Sequence, residues 1–259
     1  MSVLTGQVAV VTGGRGDIGA AIVDALAASG AAVAVGDIAP LPTAHDMSGP
    51  SVVHEIVDVT DPAAVSAWID RVERDIGPPT IVIPAAATAT AATPLSMTAE
   101  QWTAELSADL NAPFFVTTEA ARRMITAGLP GRIVMIGSWA GHAPHVHVPG
   151  YSVAKAGLRM LTKLLAIELA PHQILVNEVA IGVVDAGVSR KTFRTHPELR
   201  ARSEQIAPVR RLVGIDEVTS QVLNLCAPDL HSMTGSTILL DGGMSLRTAF
   251  TDAGEDDRP

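Results

Sequence analysis

The chain has 259 residues, 47% of them apolar, and a formal net charge of −9. That length suits one large α/β domain or two small ones, and an acidic balance with no basic stripe argues against nucleic acid or an anionic membrane as the main partner. The single cysteine, Cys226, excludes an internal disulfide and a multi-cysteine metal site, and reads as a small buried apolar residue. No apolar run reaches the roughly 18 residues of a membrane span, and no basic region leads into a long apolar stretch at the N-terminus. A soluble cytoplasmic protein is expected.

In chain order, short apolar runs alternate with helical stretches. Residues 7–11 read as a first strand, 18–30 as an Ala-rich helix, and 32–35 and 52–57 as the second and third strands. Asp61 and Pro62 open the next helix, the carboxylate as N-cap and the proline at the first helical position. Residues 80–83 form a fourth strand. A long helical stretch covers 98–127, and Pro113 inside it predicts a kink or a break. Residues 132–136 give a fifth strand, 150–170 a helix, 174–179 a sixth strand and 237–240 a seventh. Strands that are apolar throughout and separated by helices imply a parallel sheet covered on both faces. Segment 183–215 is polar, with clustered arginines, Pro197 and Pro208, and reads as an insertion over the sheet edge, on the substrate side. The tail from 251 to 259 is expected to be disordered or to make an oligomer contact.

Two places carry chemistry. The first is Thr12-Gly13-Gly14-Arg15-Gly16-Asp17-Ile18-Gly19, which follows the first strand and opens a helix. Glycines there let the backbone approach a pyrophosphate, and the helix N-terminus supplies free N–H groups and a positive dipole. A glycine-rich turn alone is weak evidence; its place between strand and helix gives it weight. Asp37 ends the second strand, where a carboxylate accepts from the adenosine ribose hydroxyls and repels a 2′-phosphate, which favours NAD over NADP. Arg15 is the competing signal, because a guanidinium there suits a 2′-phosphate. Asp58 ends the third strand, ahead of Val59, either as an adenine contact or as a turn residue.

The second place is Tyr151, the only tyrosine, with Lys155, one of three lysines, four residues on. On a helix these positions share a face about 5–6 Å apart. A nearby ammonium favours phenolate, which makes a phenol usable as a proton donor and acceptor near neutral pH. Ser138 lies upstream, just past the fifth strand.

Thr12-Gly13…Gly19, Asp37, Asp58, Ser138, Tyr151-Ser-Val-Ala-Lys155, Val176-Asn177 and Thr234-Gly235…Asp241-Gly242-Gly243 together resemble the classical short-chain dehydrogenase/reductase family over residues 5–245. The resemblance implies a single Rossmann-like domain over residues 1–250, doubly wound around a seven-stranded parallel sheet. It implies hydride transfer between a nicotinamide and a carbonyl or alcohol carbon. Tyr151 becomes the general acid/base, Lys155 lowers its pKa and holds the nicotinamide ribose, and Ser138 hydrogen-bonds the substrate oxygen. Gly13, Asp17, Ile18 and Gly19 become cofactor contacts, as do Val59, Ala85, Ala87, Gly182 and Val184. A homotetramer or homodimer using helices 99–127 and 150–170 is also implied. The chemistry is physically consistent: charge grows on the carbonyl oxygen as hydride arrives, and each preorganised donor is worth about 3 kcal/mol.

The chain departs from that family in four places. The usual Asn-Asn-Ala-Gly after the fourth strand is Pro84-Ala-Ala-Ala87, so the asparagine that ties adjacent strands is missing. The relay asparagine, counted from Trp102, falls on Asp109, which when ionised only accepts hydrogen bonds and favours a charged Lys155. The Pro-Gly after the sixth strand is Ile181-Gly182. The threonine four residues later is Ala186, a loss of about 1 kcal/mol if one hydrogen bond goes. An altered but active enzyme is the expectation; non-redox use of bound NAD and a non-catalytic dinucleotide-binding protein are the alternatives.

Segments 86–95, 139–148 and 183–200 are the expected pocket walls, with Thr88, Trp139, His145, His147 and Val183 as substrate contacts. His145 and His147 face one way if their loop is extended. The spacing of His142, His145 and His147 lacks a helix face or a neighbouring carboxylate, so no metal is expected. The apolar walls suit a substrate with a hydrophobic ring or chain better than a polyanion.

Overall fold

The central strands are built from Val, Ile, Ala and Met, and both of their faces are buried. The computed structural model describes residues 3–40 and 51–246. Its strands are β1 (Val8–Thr12), β2 (Ala32–Asp37), β3 (Val52–Ile56), β4 (Ile81–Pro84), β5 (Gly131–Ser138), β6 (Ile174–Ile181) and β7 (Thr237–Leu240). All pair in parallel, in the order β3-β2-β1-β4-β5-β6-β7. The seven strands stand where the apolar runs place them, shifted by a residue or two at their ends. The order reverses between β1 and β4, and a crevice opens at the carboxyl ends of strands at such a switch point.

The helices are α1 (Asp17–Ala28), α2 (Pro62–Asp75), α3 (Ala99–Leu106), α4 (Ala112–Ala127), α5 (Pro149–Leu169), α6 (Gly187–Thr195), α7 (Pro197–Ile206) and α8 (Ile215–Cys226). Alternate residues of β1 serve opposite cores. Ala9 and Val11 pack with α1 and α8, while Val8 and Val10 belong to the core with α2, α4 and α5. Each fully buried Val, Ile or Leu is worth about 1.5–3 kcal/mol, so residues such as Ile22 and Leu158 anchor the two layers. Cys226 is buried in the first of them, and desolvation pushes its thiol up to about 12.

Local signals explain the helix ends. Asp61 accepts from the Ala63 N–H at 2.9 Å, with Pro62 at the first position of α2. Thr98 and Gln101 form a reciprocal capping box at α3. The break around Pro113 takes a particular form. Residues Ser107–Asn111 are π-helical, and the Ala112 N–H reaches back to the Ser107 carbonyl. Pro113 has no N–H for the Asp109 carbonyl, and its ring crowds that turn, so the ladder widens by one residue.

The sequence reading assigns no helix to 215–226, yet α8 stands there, with Glu217 folding back to accept the Gly214 N–H at 2.9 Å. Segment 183–215 carries α6 and α7. It touches the end of β7, through Val209 N to Gly242 O at 3.3 Å, and the start of α1, through Gly187 N to Asp17 Oδ2 at 2.7 Å. It therefore spans the carboxyl ends of the strands, above the crevice. Val184 and Val213 bridge its two ends. The tail 251–259 lies outside the described residues.

Candidate active site

Gly13 has φ of +65°, and a Cβ there would lie 2.6 Å from the Ala86 Cα. A Cβ on Gly19 would strike the Gly13 carbonyl. These two positions let the turn pass tightly between β1 and β4. Helix α1 starts at Asp17 with Gly16 as its N-cap and no side-chain cap. Its first-turn N–H groups are therefore available to an anion. Asp37 takes the Arg15 N–H on Oδ2 at 3.0 Å and the Ala39 N–H on Oδ1 at 2.9 Å. The Arg15 guanidinium donates to the Ala39 carbonyl through Nη1, while its buried Nε and Nη2 have no partner among the described residues. Asp58 is exposed and accepts from both the Thr60 hydroxyl (2.6 Å) and N–H (2.9 Å), which hold its carboxyl below the ordinary value. Val59 beside it is buried. A tight glycine turn, an uncapped helix start and a carboxylate at the end of β2 fit an adenine dinucleotide. The Asp17 side chain is the one like charge at that helix start, and Arg190 pairs with it at 2.7 Å.

The strand tie lost with the asparagine is partly replaced. Thr12 accepts the Ala85 N–H on its carbonyl (3.2 Å) and the Ala86 N–H on its hydroxyl (3.3 Å), which keeps the chain after β4 against β1. Ala87 and Thr88 follow, exposed. At the far end, Gly182 N donates to Leu240 O at 2.8 Å and Val183 O accepts from Val213 N at 3.0 Å. Val184 and Ala186 are buried. Asn177 fastens β6 to the segment leading into β7, through Nδ2 to Met233 O (2.7 Å) and Oδ1 from Ser236 N (3.1 Å).

Ser138 closes β5, buried, with its hydroxyl accepting from Ala140 N at 3.2 Å. Pro149 starts α5, so Tyr151 lies in the first turn and Lys155 one turn on. The Lys155 ammonium is 5.3 Å from the Tyr151 ring centroid. It donates to the Ile136 carbonyl at 3.0 Å and lies 3.3 Å from Asp109 Oδ1. Lys155 is 2% exposed and Asp109 0%. Burial alone would lower the lysine pKa, but the Asp109 charge, with Tyr151 and Glu178, outweighs it and the value is raised. Burial raises the Asp109 carboxyl, against the opposing pull of Lys155 and the Thr88 N–H. The widened turn at 107–111 sets Asp109 facing both Lys155 and the chain after β4, where its Oδ2 accepts from Thr88 N at 3.1 Å.

Two further buried carboxylates go unnoticed in the sequence reading. Glu105 stands one turn before Asp109 and accepts from the Thr90 N–H, so the pair grips alternate residues of the chain after β4. Its signal is the four-residue spacing. Glu178 is a charge inside an apolar strand, itself a visible signal. Its Oε2 accepts from Thr237 Oγ1 at 2.7 Å, and its buried Oε1 has no partner among the described residues. Burial raises its carboxyl, with Thr237, Arg159 and Lys155 opposing.

On the substrate side, the Trp139 and His145 rings are 5.3 Å apart and those of His145 and His147 6.1 Å. A turn joins the two histidines, with Val148 N on His145 O at 3.2 Å, rather than the alternation of an extended loop. Ala92 N donates to His147 O at 3.0 Å, so the two walls meet. Burial, then His147, lowers the His145 pKa. His142 turns away onto Arg159 at 2.8 Å.

The family model described as enoyl-(acyl carrier protein) reductase matches residues 11–245. The chain belongs to the short-chain dehydrogenase/reductase family. This short-chain dehydrogenase/reductase is 32% identical to carbonyl reductase [NADPH] 2 of Sus scrofa over 92% of its own length and 96% of the relative's. It superposes on a short-chain type dehydrogenase/reductase from Mycobacterium marinum with a TM-score of 0.85, at 29% identity, covering 94% of this chain and 97% of that one. A chain from Agrobacterium tumefaciens solved with bound NADP gives 0.85 at 27% identity, covering 94% of this chain and 98% of that one. Oxidoreductase chemistry with a nicotinamide dinucleotide is the common property of the family. No helix among the described residues is long and apolar enough to cross a membrane.

Proposed function

We propose that the protein interconverts a secondary alcohol and a ketone by hydride transfer, using NAD(H). The observation that carries this reading is the buried Lys155 ammonium, 5.3 Å from the Tyr151 ring and held by Ile136 and Asp109, with Ser138 at the end of the adjacent strand. A bound nicotinamide would supply the hydride donor in reduction and the acceptor in oxidation. Ser138 and Tyr151 hydrogen-bond the substrate oxygen, where charge develops. Tyr151 delivers the proton in reduction and takes it in oxidation. Lys155 stabilises the phenolate and holds the nicotinamide ribose. Asp109 keeps Lys155 charged, in place of a neutral amide, and anchors Thr88 at the pocket mouth. Thr88, Trp139, His145, His147 and Val183 line the substrate side, and the α6–α7 segment covers it.

Asp37 supports NAD, since its carboxylate repels a 2′-phosphate. One observation favours NADP instead: the Arg15 guanidinium, bound at the Ala39 carbonyl just past Asp37, leaves its Nε and Nη2 atoms without partners among the described residues. Following NADH and NADPH absorbance with the purified protein, over panels of ketones and secondary alcohols, tests both points. Turnover with NADH at least about tenfold better in kcat/KM supports the Asp37 reading; equal use of NADPH overturns it. Turnover of no substrate in either direction overturns the oxidoreductase assignment of this site. Exposed Val153, Met160, Leu164 and Ile167 on α5 support a homotetramer or homodimer through that helix; light scattering on the purified protein decides it.

A further inference from the structure

Asp17 opens α1, and Arg190 lies on α6, 173 residues along the chain. Arg190 Nη1 donates to Asp17 Oδ1 at 2.7 Å, and the Gly187 N–H donates to Asp17 Oδ2 at 2.7 Å. The rest of the guanidinium is fixed as well: Nε and Nη2 both donate to the Asp185 carbonyl, at 3.2 and 2.8 Å. A planar fork gripped from two sides has little freedom left to lose on meeting a ligand. Both side chains remain about one-third exposed, so a ligand in the crevice can reach them.

The start of α1 is where this fold takes a pyrophosphate. A carboxylate there suits the helix dipole in the free protein, but it repels a ligand anion on the free N–H groups unless a cation stands between the two. Arg15, in the same turn, sends its Nη1 to the Ala39 carbonyl. Arg190 is the guanidinium that contacts the first residue of α1. We propose that Arg190 is a pyrophosphate-binding residue of the dinucleotide site, and that Asp17 is its positioning residue. The inference rests on the dinucleotide reading of the crevice. It makes α6 part of the cofactor site and couples dinucleotide affinity to the placement of the segment above the crevice.

The test measures binding of NADH, NADPH and ADP-ribose by calorimetry, and of adenosine by ligand-observed NMR. The proteins are wild type, Arg190→Ala, Arg190→Lys, Asp17→Asn and the Asp17→Asn/Arg190→Ala double variant. Arg190→Ala weakens the pyrophosphate ligands that bind wild type about tenfold and leaves adenosine within about twofold. Arg190→Lys recovers part of the loss, because it keeps the charge without the fork. In the Asp17→Asn background the Arg190→Ala penalty shrinks to under about threefold, since the guanidinium is no longer held. Unchanged or tighter binding by Arg190→Ala overturns the proposal, the latter marking the ion pair as a lock that the ligand must open. An equal loss for adenosine also overturns it, as general loosening of the site. An undiminished penalty in the Asp17→Asn background removes the positioning role of Asp17. If none of the three pyrophosphate ligands binds wild type, the dinucleotide reading falls and this inference with it; if they bind and Arg190→Ala is silent, only the inference falls.

Discussion

On the β1–β2 side of the crevice, the site is made largely of backbone: a turn with φ of +65° at Gly13, uncapped N–H groups at the start of α1, and a carboxylate fixed by two backbone donors. On the β5–α5 side it is made of side-chain charge taken out of water, with Lys155 and Asp109 buried in contact and Glu105 and Glu178 nearby. The first kind of site tolerates many side chains but no extra Cβ at the turn. The second tolerates changes of size better than changes of charge, because an unpaired buried ion costs more than a lost methyl group.

Substitutions can break or sharpen that contrast. The largest effect is expected from Tyr151→Phe, which removes the proton donor and keeps the ring. Turnover should fall about 10³-fold while dinucleotide affinity, measured by calorimetry, stays within about threefold. A matching collapse in affinity would mean that the two sides are not separable. Asp109→Ala follows, since it strands a buried ammonium and the Thr88 N–H. Denaturant unfolding should show a loss of about 3–5 kcal/mol. Gly13→Ala tests the other side, placing a Cβ against Ala86 at a positive φ. About 1–3 kcal/mol is expected in the same assay, with weakened dinucleotide binding and the Lys155 surroundings untouched.

Two pH experiments are finer. The Lys155 pKa is raised, so the pair contributes stability that is full below the ordinary lysine range and lost as pH rises through the raised value. Asp109→Asn removes the charge that outweighs burial, so burial then lowers the lysine pKa. The alkaline loss of stability should then vanish, because a lysine pKa below its unfolded value favours the folded state as pH rises, and the alkaline limb of the rate profile should move to lower pH; an unmoved limb would detach Asp109 from Lys155 in catalysis. The smallest effect is expected at Glu178. Its raised carboxyl contributes stability that is present below the ordinary value of 4.5 and lost as pH rises through the folded value. Glu178→Gln should therefore gain stability relative to wild type as pH rises above the ordinary value of 4.5, read from melting curves.

The same contrast explains what the sequence disclosed. Apolar runs, glycines and the Tyr151–Lys155 spacing are local patterns with local causes, so the strands, the turn and the start of α5 are legible. Asp109 is legible as a residue, counted from Trp102, but not the π-helical turn that aims it, which depends on how Pro113 breaks the ladder. The Asp17–Arg190 pair joins residues 173 apart, and such a contact leaves no periodic trace. His145 and His147 come together through a turn whose hydrogen bonds involve the backbone, which side-chain spacing does not encode.

Tyr151 is the only phenol in the chain, and the Lys155 ammonium lies 5.3 Å from its ring. Ultraviolet difference absorbance of tyrosinate therefore follows the ionisation of one oxygen atom in the whole protein, with no label and no assignment step. Replacing Asp109, adding a dinucleotide or disturbing α5 each becomes readable as the displacement of a single optical titration curve, recorded without any substrate.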